Sequence, residues 1–224
     1  MRAMILAAGH GERMRPLTDD TPKPLLPAGG KPLLQYHLEK LAAAGITDVV
    51  INTGRLGGQI EAHFGNGRAR GFRIAYSHEG EAPLDTGGGI RRSLPLLGAG
   101  PFLVVNGDIW IACDFRRLPQ DLGTDLAHLV MVANPPHHPQ GDFILEDGRL
   151  AADGDGPRLT YAGVGVFAPE LFRDCRKEVF PLAPLLRDAM RQGRVSGEYF
   201  AGDWLDVGTP DRLQELDSKI KNSV

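Results

Sequence analysis

Residues 3–27 read AMILAAGHGERMRPLTDDTPKPLLP. An apolar run from Ala3 to Ala8 gives way at Gly9 to a polar loop carrying Gly11, Arg13, Arg15 and Lys23. A short apolar run closed by glycine suits a strand buried on both faces of a parallel sheet. The loop that leaves it then sits at the carboxyl end of a strand, where open α/β sheets bind ligands. Gly9 and Gly11 let backbone N–H groups approach an anion closely. Arg13 offers a planar fork for phosphate, and Lys23 a movable point charge. The loop is not a Walker A sequence, which needs Gly, four residues, then Gly-Lys-Ser/Thr. Nor is it a dinucleotide fingerprint, because Met14 stands where the third glycine belongs. The reading left is a loop that wraps the phosphates of a nucleoside triphosphate. Three cations around two glycines, directly after a buried strand, favour this over solvated surface charge.

Strand and helix signals alternate outward from this loop. KPLLQYHLEKLAAAG (31–45) reads as a helix with Pro32 at its start and Gly45 at its end. ITDVVIN (46–52) reads as a strand, Gly58 to Phe64 as a short helix, and FRIAYSHE (72–79) as a strand. A helix beginning at TGGGI (86–90) leads to the strand PFLVVNGD (101–108), and AHLVMVA (127–133) is a further strand. From Asp142 the pattern changes to short alternating strands with Asp-Gly turns, as in hairpins. VFPLAPLLRDAMRQG (179–193) reads as a helix, EYFAGDWLDVG (198–208) as strand-like, and Thr209-Pro210 as the start of a last helix capped by Thr209. The alternation predicts an α/β fold: a Rossmann-like three-layer α/β/α domain with a mixed, mostly parallel sheet.

The 224 residues suffice for one such domain, expected over 1–224. The net charge of −3 argues against a general nucleic-acid binder, so the cations of the first loop are a local feature. Cys113 and Cys175 have no metal-ligand spacing and read as reduced thiols. No apolar stretch is long enough to span a membrane, and the expected location is the cytoplasm.

Asp108 ends one strand and Asp206 another. Together, beside a phosphate loop, they suggest an oxygen-ligand site for Mg²⁺, which takes one or two carboxylates plus phosphate oxygens and water. Whether one ion or two binds is left open. Gly87, Gly88 and Gly89 are costly in a helix. They make sense if a flat base or ribose lies on the backbone; close helix packing would ask for one glycine. His137-His138 in a Pro-rich loop read as a loop or substrate contact, Asp153 and Asp155 around Gly154 as turn residues, and Trp110 and Trp204 as packing beside the two aspartates.

LAAGHGERMRPLTDDTPKPLLP (6–27) resembles the signature of the sugar-1-phosphate nucleotidylyltransferases. EGEAPLDTGGGI (79–90), VVNGDIW (104–110), FPLAPLLR (180–187) and WLDVGTPDRL (204–213) have counterparts there, in the same order. The resemblance implies that a nucleoside triphosphate, expected to be UTP, and a sugar 1-phosphate are the partners, with Mg²⁺ as cofactor on Asp108 and Asp206. It implies nucleotide contacts at Ala8, Gly9, Gly11, Glu79, Gly87 and Gly88. Arg13, Lys23 and Asp108 become the catalytic residues, with Arg13 on the leaving pyrophosphate and Lys23 near the α- and β-phosphates. The resemblance also implies a nucleotide-binding part over about 1–110 and a sugar-binding part over about 111–224, with sugar contacts at Asn106 and along Tyr161 to Gly163. Many members also carry Glu-Lys-Pro ahead of that last stretch, whereas residues 146–158 here read EDGRLAADGDGPR. The departure implies a different sugar or a different way of holding it. Two rivals stay open: another nucleotide and hexose pair, such as a mannose-1-phosphate guanylyltransferase would use, and a non-catalytic nucleotide-sensing subunit. A monomer is the expected state.

Overall fold

A computed structural model describes residues 1–222. Thirteen strands and five α-helices follow in chain order among them. The first strands are β1 (Arg2–Leu6), β2 (Pro27–Ala28) and β3 (Lys31–Pro32), followed by helix α1 (Leu33–Ala43). Next come β4 (Asp48–Thr53), α2 (Gly57–Phe64), β5 (Arg73–His78), α3 (Asp85–Leu97), β6 (Phe102–Asn106) and β7 (Ile109–Ile111). The remainder is β8 (Ala127–Val132), β9 (Phe143–Glu146), β10 (Arg149–Ala151), β11 (Arg158–Phe167), α4 (Leu182–Arg191), β12 (Val195–Tyr199), β13 (Trp204–Asp206) and α5 (Pro210–Lys221).

Nine strands form one sheet in the order β5-β4-β1-β6-β11-β8-β12-β10-β9. β5, β4, β1 and β6 are mutually parallel, as their continuous apolar character requires. β11 then runs antiparallel between β6 and β8, and β12 is parallel to β8. β9 and β10 form a hairpin whose turn holds Asp147 and Gly148 at positive φ. The sheet is therefore mixed, with its parallel part gathered where the first loop emerges.

Alternation along the strands divides the core. Ala3, Ile5, Val49, Ile51, Leu103 and Val105 pack with Leu34, Leu38 and Leu41 of α1 and Ile60 and Phe64 of α2. Met4, Val50, Phe102 and Val104 face the other way, toward Ile90 and Leu97 of α3 and Leu182 and Leu186 of α4. A third cluster joins Met14, Leu26 and Ala28 to Val207, Leu213 and Leu216, so α5 packs beneath the first loop. Met14 is fully buried there, which is why the position of a third glycine is filled by a large apolar anchor.

Several boundaries differ from the sequence reading for local reasons. The apolar run 3–8 is strand only to Leu6; Ala7 and Ala8 already belong to the loop. α1 starts at Leu33 because Lys31-Pro32 pairs with Pro27-Ala28. α4 starts at Leu182, since Pro181 holds the extended conformation that ends the preceding segment. The stretch 198–208 divides into the end of β12 and the separate strand β13, which pairs only with β7. Thr209 caps α5 as expected, its hydroxyl accepting from Arg212 N–H at 3.4 Å.

Candidate active site

Because β1, β4, β5 and β6 are parallel, their carboxyl ends meet at one edge. A cavity of about 770 Å³ opens there, a size suited to a small-molecule site. Ala8, Gly9, Gly11, Arg13 and Lys23 line it, as do Glu79, Asn106 and Asp108. The first loop is stitched rather than slack. Gly11 sits at φ 65° with its carbonyl accepting from Met14 N–H (2.8 Å) and from the Thr18 hydroxyl (2.8 Å). Arg55 donates to the Thr18 and Asp19 carbonyls at 2.9 and 3.0 Å. A Cβ on Gly9 would meet nothing within 4 Å, so the space above that residue belongs to the cavity.

Lys23 opens a short turn (Lys23–Leu25) packed against α1, and its side chain is 9% exposed. Its Nζ donates to Asp108 Oδ2 at 2.9 Å. Burying an ammonium is costly unless it is paired, so this cation is held for a purpose at the cavity wall. Asp108 follows β6 and Gly107; a Cβ at Gly107 would lie 2.5 Å from the Leu6 carbonyl, so only glycine lets β6 end so close to β1.

Asp206 reaches the same neighbourhood through the β7–β13 pair, in which it faces Ile109, and Val207 N–H donates to the Asp108 carbonyl at 2.8 Å. Its Oδ2 accepts from Arg212 Nη1 at 2.6 Å, and His137 Nε2 lies 3.2 Å from the same oxygen. A Cβ on Gly208 would fall 3.0 Å from Asp206 Oδ1, 2.7 Å from Arg212 Nη2 and 3.2 Å from Arg13 Nη2. Gly208, on the cavity wall, thus brings Arg13 and Asp206 together. Among the described residues no group of three or more His, Cys, Asp or Glu side chains converges as a metal site. The two aspartates are hard oxygen donors, the type an ion takes when it completes its shell with phosphate oxygens; Asp108 lines the cavity, and Asp206 stands behind Gly208 on its wall.

The tri-glycine packs tightly against its neighbours, and Gly87 and Gly88 do not line the cavity. Gly87, Gly88 and Gly89 lie buried inside α3, and each meets a different neighbour. Added Cβ atoms would lie 2.5 Å from the Phe180 ring, 2.3 Å from the Glu178 carbonyl and 2.3 Å from Glu79 Oε1. Close packing therefore demands all three glycines, not one. The cavity-facing residues of this helix are Asp85 and Thr86, one turn ahead of Gly88. Glu79 lines the cavity, but both its oxygens are engaged: Oε1 accepts from Asn52 Nδ2 (2.6 Å) and Oε2 from Leu84 N–H (2.8 Å).

On the other side, Gly163 (φ 79°) abuts Asn106; a Cβ there would lie 2.8 Å from Asn106 Nδ2. The Tyr161 hydroxyl is buried without a hydrogen-bond partner, and burial pushes its pKa up. Tyr161, Ala162 and Gly163 do not line the cavity themselves; the stretch meets it through Asn106, which does. Residues 146–158, which replace Glu-Lys-Pro, form the β9–β10 hairpin and the turn after it, and none lines the cavity.

Three contributors escaped the sequence reading. Asn52 accepts from Ala7 N–H at 2.7 Å and so fixes the loop entrance. VVIN (49–52) ends like LVVN (103–106), and that likeness was the available signal. Arg212 and His137 gave none, because their partner Asp206 lies far away in sequence. The cysteines are both free, and burial raises the Cys113 thiol to about 11, an unreactive state. Among the described residues no helix is long and apolar enough to cross a membrane.

Comparison with known proteins finds relatives along nearly the whole chain. A family model described as nucleotidyl transferase matches residues 2–143. The N-acetylmuramate alpha-1-phosphate uridylyltransferase of Neisseria meningitidis serogroup B is 52% identical, covering 96% of both chains. The enzyme of the same name from Caulobacter vibrioides is 38% identical over 97% of this chain and 96% of its own. The solved structure of HddC from Yersinia pseudotuberculosis, complexed with GMP-PN, superposes with a TM-score of 0.80 at 20% identity, covering 97% of this chain and 98% of that one.

Proposed function

The chain belongs to the nucleotidyl transferase family, and from that premise we propose its reaction: transfer of UMP from UTP to N-acetylmuramate α-1-phosphate, giving UDP-N-acetylmuramate and pyrophosphate. Two full-length relatives named for that activity support the substrate pair. The observation that carries the chemistry is the buried Lys23 ammonium paired with Asp108 at the parallel strand ends, with Asp206 and Arg13 converging at Gly208. The product fits a step that returns a wall sugar to nucleotide-linked form, as peptidoglycan recycling requires.

A phosphate oxygen of the sugar 1-phosphate attacks the α-phosphorus; the new O–P bond forms as the Pα–O bond to pyrophosphate breaks. That oxygen is ionised at neutral pH, so no general base is needed. The protein's task is positioning and charge stabilisation. Ala8, Gly9 and Gly11 present backbone to the triphosphate. Lys23 neutralises charge near the α- and β-phosphates, and Arg13 holds the leaving pyrophosphate. Asp108 and Asp206 would hold Mg²⁺. Bound there, it supplies positive charge to phosphate oxygens of both substrates. Asp85 and Thr86 form the wall beside the base. Gly87 and Gly88, behind that wall, set how close it stands. Asn106 and the backbone from Tyr161 to Gly163 take the sugar.

The test is pyrophosphate release with Mg²⁺ across UTP, dTTP, GTP, CTP and ATP, each against several sugar 1-phosphates. Release confined to UTP with N-acetylmuramate 1-phosphate is expected. Preference for another pair would keep the mechanism and replace the substrates. Nucleotide binding without turnover on any pair would indicate a sensing protein.

A further inference from the structure

β11 does not follow β8 evenly. Tyr161 faces Met131 and Gly165 faces Leu129, so four steps on one strand match two on the other. The extra residues form a bulge, and bulges next to sites re-aim the chain. This one carries Gly163 to Asn106. Backbone groups in a bulge lose their ladder partners and need others. Two side chains provide them. Trp204 Nε1–H donates to the Ala162 carbonyl at 2.9 Å. Asp142 Oδ2 accepts from Tyr161 N–H at 2.8 Å, while its Oδ1 lies 3.1 Å from His138 Nε2.

Both holders are rooted in the metal side of the site. Trp204 lies on β13 two residues before Asp206, and β13 is tied to the Asp108 segment through β7. Asp142 closes the loop whose His137 reaches Asp206. That loop is itself rigid. Asn134 donates to the Pro139 and Arg158 carbonyls (3.2 and 2.9 Å) and accepts from the Thr160 hydroxyl (2.9 Å). Arg158 donates to the Asp142 carbonyl at 2.9 Å.

We infer that Trp204 and Asp142 are positioning residues that clamp the 161–165 bulge from two sides, set Gly163 against Asn106, and so govern affinity for the sugar phosphate. Neither side chain lines the cavity. They act through the bulge, and the inference rests on the reading that this half receives the sugar.

The test uses the full chain with Trp204→Phe, which keeps an apolar ring and loses the N–H, and Asp142→Ala. Each should raise KM for the sugar 1-phosphate about 3–10-fold, the range for one lost hydrogen bond. UTP affinity measured by calorimetry without sugar should change less than twofold. Asp142→Asn, which keeps a carbonyl for Tyr161 N–H, should recover most of the sugar affinity. Equal loss of sugar and nucleotide affinity, or a lowered melting temperature with no change in sugar KM, would overturn the clamp. If Trp204→Phe does not fold, Asp142→Ala and its Asn rescue decide alone. Asn106→Ala separates the two readings. If it weakens sugar binding while the clamp variants do not, the clamp is wrong and the sugar site stands. If it too leaves sugar binding unchanged, the sugar reading falls, and the clamp with it.

Discussion

The first loop and the tri-glycine of α3 look alike in sequence and do opposite work. At Gly9 the space that a side chain would occupy is open, and it belongs to the cavity. At Gly87, Gly88 and Gly89 that space is already filled by Phe180, the Glu178 carbonyl and the Glu79 carboxylate. Glycine removes a Cβ in both places. In one the gap opens onto the cavity; in the other the protein itself fills it. A glycine cluster is therefore ambiguous until its neighbours are known.

The comparison breaks most sharply at Lys23. Lys23→Ala should lower turnover roughly a hundredfold or more, about 2.7 kcal/mol, by analogy with loss of one preorganised donor. Stability should change far less, because Asp108 keeps 41% side-chain exposure and can be hydrated. Steady-state rates alongside a urea melt check both halves. Near-normal turnover would remove the first loop from the chemistry.

Acid distinguishes the two regions next. α1, which packs against the Lys23 turn and β7, carries the buried His37; α3 has no histidine. Burial lowers the His37 pKa to about 4, against the opposing pull of the Asp108 carboxylate. The unfolded chain binds this proton near pH 6.5 and the folded chain only near 4, so stability falls as pH drops through that window. Roughly 2–3 kcal/mol should be lost between pH 7.5 and 4.5. His37→Leu should flatten that slope in urea melts at a series of pH values; an unchanged slope would clear His37.

The glycines themselves give the smallest and most direct contrast. Gly88→Ala must push against a backbone carbonyl, which cannot rotate away, and should cost roughly 2 kcal/mol of stability after the gain in helix propensity. Gly9→Ala should stay within about 0.5 kcal/mol of the parent and instead raise KM for the nucleotide. Loss of stability at Gly9 with none at Gly88 would reverse the assignment.

The α/β order and most helix and strand positions were legible because apolar periodicity is local. So were the loop cations, Asp108 and Asp206, which stand at strand ends within ordered motifs. The role of the tri-glycine was not, because it depends on residues 178–180, some ninety positions away. His137 was set aside for the same reason: a histidine in a proline-rich loop says nothing until Asp206 stands 3.2 Å from it. Trp204 read as packing because an indole N–H shows its partner only in three dimensions.

Sequence by itself determined the fold class, and it marked out the loop of glycines and cations and the two aspartates at strand ends, because each follows from spacing along one segment. Tertiary structure decided which glycines face the cavity, that Lys23 pairs with Asp108, that Arg212 and His137 meet Asp206, and how a bulge reaches Asn106. Those outcomes depend on which segments the sheet order brings together, and contact between distant segments leaves no periodic trace in either one.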